Sequence, residues 1–353
     1  MNAGKESKKG LEKTVQFQNF KINFFIFFII SLTGCTSIGL RVHNYGVDCL
    51  KGEVDPKQID YGNWTGDKNI ILPFTDYYNV IKIKTLLNNE FKVPMIVDTG
   101  ASGTVFEYPH GKKIGLIPLK TSTPDEYMVG YFGAVRSMRC LLHSFNIGGI
   151  DRDNWVVYFI PIEMQFRIGL IPLFKKSFVC LGRDFLGHFN FIKIDYTKKR
   201  IHLFDDDKYI KNNRNILADV PLYYEDDASY GYWYINFNID DKGPFPAIID
   251  TGASYGFLSS SKAEELGYKG NSHTRVIKGV GSYGRARKVI FKEIAIGNLR
   301  LKQKSFYAFI DAPDEAIYGT ELSILGNELF MSEGYTIMFD LKNKRFIIMD
   351  KVG

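Results

Sequence analysis

The chain has 353 residues, more than one average domain, so two compact units are expected. With 45% hydrophobic and 24% charged residues it is ordinary globular material, which excludes a disordered chain; 28 Phe and 21 Tyr favour strands over helices. Half of the net charge of +6 lies in residues 1–34, where Lys5, Lys8, Lys9, Lys13 and Lys21 face Glu6 and Glu12. The rest is close to neutral, and nothing in it supports a nucleic-acid partner.

At the amino terminus a lysine-containing stretch ends at Lys21 and an apolar run occupies 22–30. That run is too short to span a bilayer comfortably and fits the core of a signal peptide. It leads into Leu32-Thr33-Gly34-Cys35, which resembles the bacterial lipoprotein signal. The resemblance implies a signal peptide over 1–34, lipid on Cys35, export, and tethering to a bacterial membrane. Thr36 lacks the acidic character that retains some lipoproteins in the inner membrane, which points to the outer one. The alternative is an uncleaved signal anchor. Residues 35–66, rich in Gly, Asp and Lys, read as a tether to a first lobe over 67–208.

Within that lobe, residues 80–84 alternate with period two, as a half-buried strand does; Asn88-Asn89-Glu90 makes a turn and Phe91–Val97 returns. Phe191–Asp195 and Arg200–Phe204 form a closing hairpin. Residues 209–222, charged and ending near Pro221, read as a linker. A second lobe over 223–353 repeats the plan: Trp233–Ile239, a turn at 240–243, a return through 245–249, and a closing hairpin of 335–340 with Arg345–Met349. Residues 260–266 suggest one short helix stopped by Gly267.

The two lobes are copies. Ile96-Val97-Asp98-Thr99-Gly100-Ala101-Ser102 recurs 152 positions later as Ile248-Ile249-Asp250-Thr251-Gly252-Ala253-Ser254. Downstream landmarks keep their order: Gly115 answers Gly267, Gly148 answers Gly297, Leu181-Gly182 answers Leu325-Gly326, and Asp195 to Arg200 answers Asp340 to Arg345. The register drifts mainly where the first half carries extra residues, at 161–176. One Asp-Thr-Gly is an ordinary surface turn; two identical five-residue copies, each after an apolar strand, are not coincidence.

On these residues both halves resemble the retropepsin unit, and the whole is similar to a single-chain, two-lobed aspartic peptidase of the bacterial retropepsin-like type. Cys180-Leu181-Gly182 and Ile324-Leu325-Gly326 match that family's second signature, two apolar residues and a glycine before a short helix. The resemblance implies an all-β fold of two retropepsin- or pepsin-like lobes (the acid protease fold) related by a pseudo-twofold axis, with a few short helices. It implies that Asp98 and Asp250 are catalytic, that Thr99 and Thr251 bond across the lobe interface, and that Gly100 and Gly252 leave room for backbone N–H groups beside the carboxylates. Two carboxylates about 3 Å apart cannot both ionise, so one shared proton provides acid and base together. The implied partner is a peptide or protein substrate, and the two lobes of one chain pair with each other in a monomer.

The Gly-containing segments at 130–133 and 281–284 occupy the place of the family's flap, with Tyr131, Phe132 and Tyr283 as candidate substrate contacts; an ordinary β-turn with exposed aromatics is the equal alternative. No CxxC or His/Cys cluster exists, so no metal or other cofactor is expected. Cys49, Cys140 and Cys180 allow at most one disulfide, with its pairing open. From a different class, a catalytically silent peptide-binding lipoprotein would keep the same cleft.

Overall fold

A computed structural model describes residues 12–15, 38–45, 49–120, 127–130, 133–168, 171–209, 215–224, 231–268, 274–279, 283–310 and 323–351. The β-rich composition is realised almost throughout, with helices confined to single turns or little more. The strand–turn–strand units preceding each aspartate form as their alternation predicts. Val80–Leu87 pairs with Phe91–Val97 through a turn in which Asn88 and Asn89 take the left-handed backbone that asparagine tolerates, at φ 49° and 55°. Trp233–Ile239 pairs with Lys242–Asp250 in the same way.

Each half builds one eight-stranded sheet, and the two are equivalent strand for strand. The first runs Thr75–Tyr77, Val80–Leu87, Phe91–Val97, Val179–Leu181, Val105–Glu107, Ile150–Ile160, Met138–Ile147, Ile117–Pro118. The second runs Tyr223–Tyr224, Trp233–Ile239, Lys242–Asp250, Ser323–Gly326, Gly256–Leu258, Leu299–Phe309, Tyr283–Ile296, Thr274–Lys278. In each, an added pairing closes the sheet on itself: Val80–Leu87 with Met138–Ile147, and Trp233–Ile239 with Tyr283–Ile296.

A third, six-stranded sheet joins the halves. Its order is Ile216–Pro221, Arg345–Met349, Thr336–Asp340, Phe191–Asp195, Arg200–Phe204, Asn69–Pro73, three strands from each half. The central pairing aligns Phe191 with Asp340 and Asp195 with Thr336. One large apolar core runs continuously from the first lobe through this sheet into the second. Smaller clusters lie apart from it.

Two expected connections are more than connections. Residues 209–222, read as a linker, contain the edge strand Ile216–Pro221, which is the partner in the second half of Asn69–Pro73. Alternate burial of Ala218 and Val220 holds it in place. Residues 35–66, read as a tether, supply Ile38–Asn44, which pairs with Ile162–Ile168 of the extra stretch in the first half. Farther on, Trp64 is wedged against Phe145, Trp155 and Phe185 at centroid distances of 5.9, 5.1 and 5.2 Å, so this segment packs on the first lobe. Glu12–Val15, inside the expected signal peptide, pairs with Ile38–Asn44. The apolar run at 22–30 and Cys35 lie outside the described residues. Among those described, no helix is long and apolar enough to cross a membrane.

Candidate active site

Each aspartate stands where a strand running beside a central parallel strand comes to its end. Phe91–Val97 is flanked by Val179–Leu181, and Lys242–Asp250 by Ser323–Gly326. The central strand is fully buried in both copies, which is why its sequence is apolar without alternation. After Gly182 the chain turns back onto the first aspartate loop: Arg183 N donates to Ala101 O at 3.0 Å and Asp184 N to Ser102 O at 3.2 Å. After Gly326 the same contacts recur, from Asn327 N to Ala253 O at 3.0 Å and from Glu328 N to Ser254 O at 3.1 Å.

The loops are held by their own backbone. Asp98 Oδ1 accepts from Gly100 N and Ala101 N, both at 2.9 Å. Asp250 Oδ1 accepts from Gly252 N at 2.8 Å and Ala253 N at 3.0 Å. The glycines are required by the approach of the opposite carboxyl: a Cβ on Gly100 would stand 2.6 Å from Asp250 Cγ, and one on Gly252 2.7 Å from Asp98 Oδ1. The structure therefore brings Asp98 and Asp250 face to face, both more than nine-tenths buried.

Below them the two threonines interlock. Thr99 Oγ1 donates to Ile249 O at 2.6 Å and accepts from Thr251 N at 3.0 Å; Thr251 Oγ1 donates to Val97 O at 2.7 Å and accepts from Thr99 N at 3.1 Å. Four hydrogen bonds thus cross between the halves within one residue of each carboxylate.

Burial pushes the Asp98 pKa well above the usual carboxylate range, and the charge of Asp250 pushes it further, against the two backbone N–H donors. Two buried carboxyls in contact hold one proton between them, and the resulting titration belongs to the pair. Next to them the Cys180 thiol is also raised, by burial first and then by the Asp98 charge.

Several supporting residues escaped the sequence reading. Arg183 spans the interface: its Nε donates to Ala101 O at 3.4 Å and its guanidinium lies 5.4 Å from the ring of Tyr232 and 5.7 Å from that of Trp233. In the second half Asn327 Nδ2 donates to Thr251 O at 2.6 Å, and its Oδ1 accepts from Tyr196 of the first half at 2.6 Å. Asp184, half-buried, accepts from Thr104 Oγ1 at 2.9 Å, and desolvation raises its pKa to about 6. One signal was available: the repeat places Arg183-Asp184 on Asn327-Glu328, directly after the aligned Leu-Gly pair.

Tyr131 and Phe132 lie outside the described residues. Around them Tyr127–Gly130 pairs with Gly133–Arg136 as a hairpin. Tyr283 begins the strand Tyr283–Ile296, which pairs with Thr274–Lys278; the placement of its side chain is outside the description. Cys49, Cys140 and Cys180 carry no disulfide. Among the described residues no cluster of His, Cys, Asp and Glu is arranged to hold a metal.

A family model described as aspartyl protease matches residues 83–185 and 235–329, once in each half, and each match includes the aspartate loop and the Leu-Gly turn behind it. The chain belongs to the aspartyl protease family. Among solved structures, the aspartic proteinase from Irpex lacteus is similar, with 11% sequence identity and a TM-score of 0.45, covering 80% of this chain and 97% of that one. No curated protein matches. For an aspartyl protease, the site retains two carboxylates, two threonines and two glycines in matching positions.

Proposed function

We propose that the protein is an aspartic endopeptidase in which Asp98 and Asp250 activate one water. The observation that carries the reading is the pair of buried carboxyls, each fixed by two backbone N–H groups and pressed against the other's loop. The ionised carboxylate takes a proton from the water as its oxygen attacks the peptide carbonyl carbon. The protonated partner gives its proton to the carbonyl oxygen. Collapse of the tetrahedral species then expels the amine, which leaves with a proton returned by the dyad. No cofactor enters these steps. Incubating the soluble protein with a diverse peptide pool, with and without Asp98→Asn, tests this: hydrolysis that disappears in the variant supports it, and hydrolysis that persists overturns it.

The same reading has both lobes supplied by a single chain. The reciprocal threonine bonds and the central strand pairing, both within one chain, support it. Gel filtration of a soluble form at the monomer volume is the expected result. Export and lipidation at Cys35 are proposed from the apolar run at 22–30 and the Leu32–Cys35 signal alone. Cys35→Ala should release the protein from the membrane fraction without changing the activity of the purified domain, and undiminished membrane association would identify a signal anchor instead.

A further inference from the structure

The hairpin that leads to Asp98 carries its lysines on one face. Along Val80–Leu87 the buried positions are Ile81, Ile83, Thr85 and Leu87, which turns Lys82 and Lys84 outward. Leu86 pairs with Lys92, so Lys92 stands on the same outward face. Beside the hairpin, the helical turn His110–Lys113 adds Lys112 and Lys113, both exposed. An open cavity of about 440 Å³ separates the two, with Lys92, His110 and Lys113 on its walls and Glu90 as the acid among them. The cations are close enough to act on one another: after burial, the charges of Lys113 and Lys82 hold His110 below its usual pKa. Among the described residues Lys84, Lys92 and Lys113 have no ion-pair partner.

The second half, built on the same plan, lacks this face. At the 152-residue offset of the aspartates, Lys82, Lys84 and Lys92 answer to Tyr234, Asn236 and Pro244, and Lys112 and Lys113 to Glu264 and Glu265. Those two acids are already paired: Glu264 Oε1 lies 2.9 Å from Arg287 Nη2, and Glu265 Oε2 lies 2.7 Å from Lys262 Nζ. The same hairpin therefore forms without the lysines, and the fold does not need them. Five like charges on one face repel one another, a cost that a partner of opposite charge removes.

The chain enters the first lobe at the edge of this face. Tyr45 stacks on Tyr108 with ring centroids 3.6 Å apart, and Lys112 Nζ lies 5.6 Å over the same Tyr108 ring. The Tyr45 hydroxyl donates to the buried Glu163 at 2.8 Å, which fixes the end of the strand Ile38–Asn44 just before it. Cys35 precedes Tyr45 by ten positions, within roughly 35 Å even when fully extended. We propose that the lysine face of the first lobe docks on an anionic phospholipid bilayer, and that the second lobe takes no part in the contact. The inference goes beyond lipidation at Cys35 and rests on that reading for the choice of a membrane as partner. A lipid on Cys35 holds the first lobe near a bilayer, where each lysine close to the surface is attracted by anionic headgroups.

The experiment measures partition of the full chain carrying Cys35→Ala, so that no lipid on the protein contributes. The vesicles are phosphatidylcholine alone, or equal parts phosphatidylcholine and phosphatidylglycerol. Two triple variants are compared with it. Lys84→Gln, Lys92→Gln and Lys113→Gln remove three charges from the face; Lys292→Gln, Lys302→Gln and Lys342→Gln remove three from the second half. All six lysines are exposed, so neither triple opens the core. Residues 1–34 are common to all three forms and cancel in the comparison. The Cys35→Ala chain should prefer the phosphatidylglycerol vesicles, most strongly at low salt. The first triple should weaken that binding roughly 5-fold per lysine, on the order of 100-fold together, while the second stays close to the parent. No preference for phosphatidylglycerol, or equal losses in both triples, overturns the inference. Lipidation would still stand, since it is read from the membrane fraction of the parent against Cys35→Ala. Anionic preference lost in the first triple alone, in a chain whose Cys35 proves unmodified, supports the face and removes the tether.

Discussion

Thr99 and Thr251 each use one hydroxyl twice, accepting from the other's backbone N–H at 3.0 and 3.1 Å while donating to the carbonyl that precedes the opposite aspartate. Both threonines are buried, so each bond lost leaves a polar group that water cannot reach. Thr99→Ala should destabilise the folded chain by about 2–6 kcal/mol, at roughly 1–3 kcal/mol for each of the two groups orphaned. Thr99→Ser should recover most of it. Chemical denaturation of the three forms is the check; an alanine variant as stable as the parent would show that the lobes do not depend on this contact.

Removal of either carboxylate should stop turnover without unfolding the protein. Asp98→Asn and Asp250→Asn keep the shape and an acceptor for the loop N–H groups, but neither can share a proton. Each should reduce kcat below detection while leaving the circular dichroism spectrum unchanged. One variant with near-parental turnover would exclude the two-carboxyl mechanism.

The pH profile should lie toward neutrality. Burial and the neighbouring charge raise Asp98, and Ala101 and Ala253 offer no hydroxyl to stabilise the ionised form. The dyad then keeps its proton to higher pH, giving a weakly acidic to near-neutral optimum for kcat/KM. Ala101→Ser and Ala253→Ser each add a donor to the charged form and should move the basic limb toward acid. Profiles that overlay the parent would remove this account.

Asp184 should make stability fall as pH rises. Burial raises its folded pKa from 3.8 to about 6, so the folded state favours the protonated form. The stabilisation is complete below the unfolded value and is lost as pH climbs through about 6. Relative to Asp184→Asn, which cannot ionise, the parent should lose on the order of 2 kcal/mol between pH 4 and pH 7. A constant difference across that range would mean that the carboxyl titrates normally.

Much of this molecule was legible before any coordinates. The repeated Asp-Thr-Gly-Ala-Ser identified both aspartate loops, and the strands around them followed from period-two alternation and turns at Asn88-Asn89 and Asp240-Asp241. Even the short helix after Ser259 was readable, since a serine that caps and a glycine that stops are local signals: Ser259 accepts from Lys262 N, and Gly267 takes φ +89°.

What these signals share is short range: an alternation, a cap or a duplicated motif is written within a few residues, and sequence alone determined two β units with one aspartate each. Tertiary structure decided how the units meet. Ile216–Pro221 looks like a charged linker until it is paired with Arg345–Met349, more than a hundred residues away. Trp64 reads as part of a tether until Phe145, Trp155 and Phe185 surround it. Tyr196 and Asn327, 131 positions apart, meet only because the six-stranded sheet brings the halves together. No local period encodes such pairs; their partners are chosen by which apolar faces and unpaired strand edges remain to be buried once each lobe has formed.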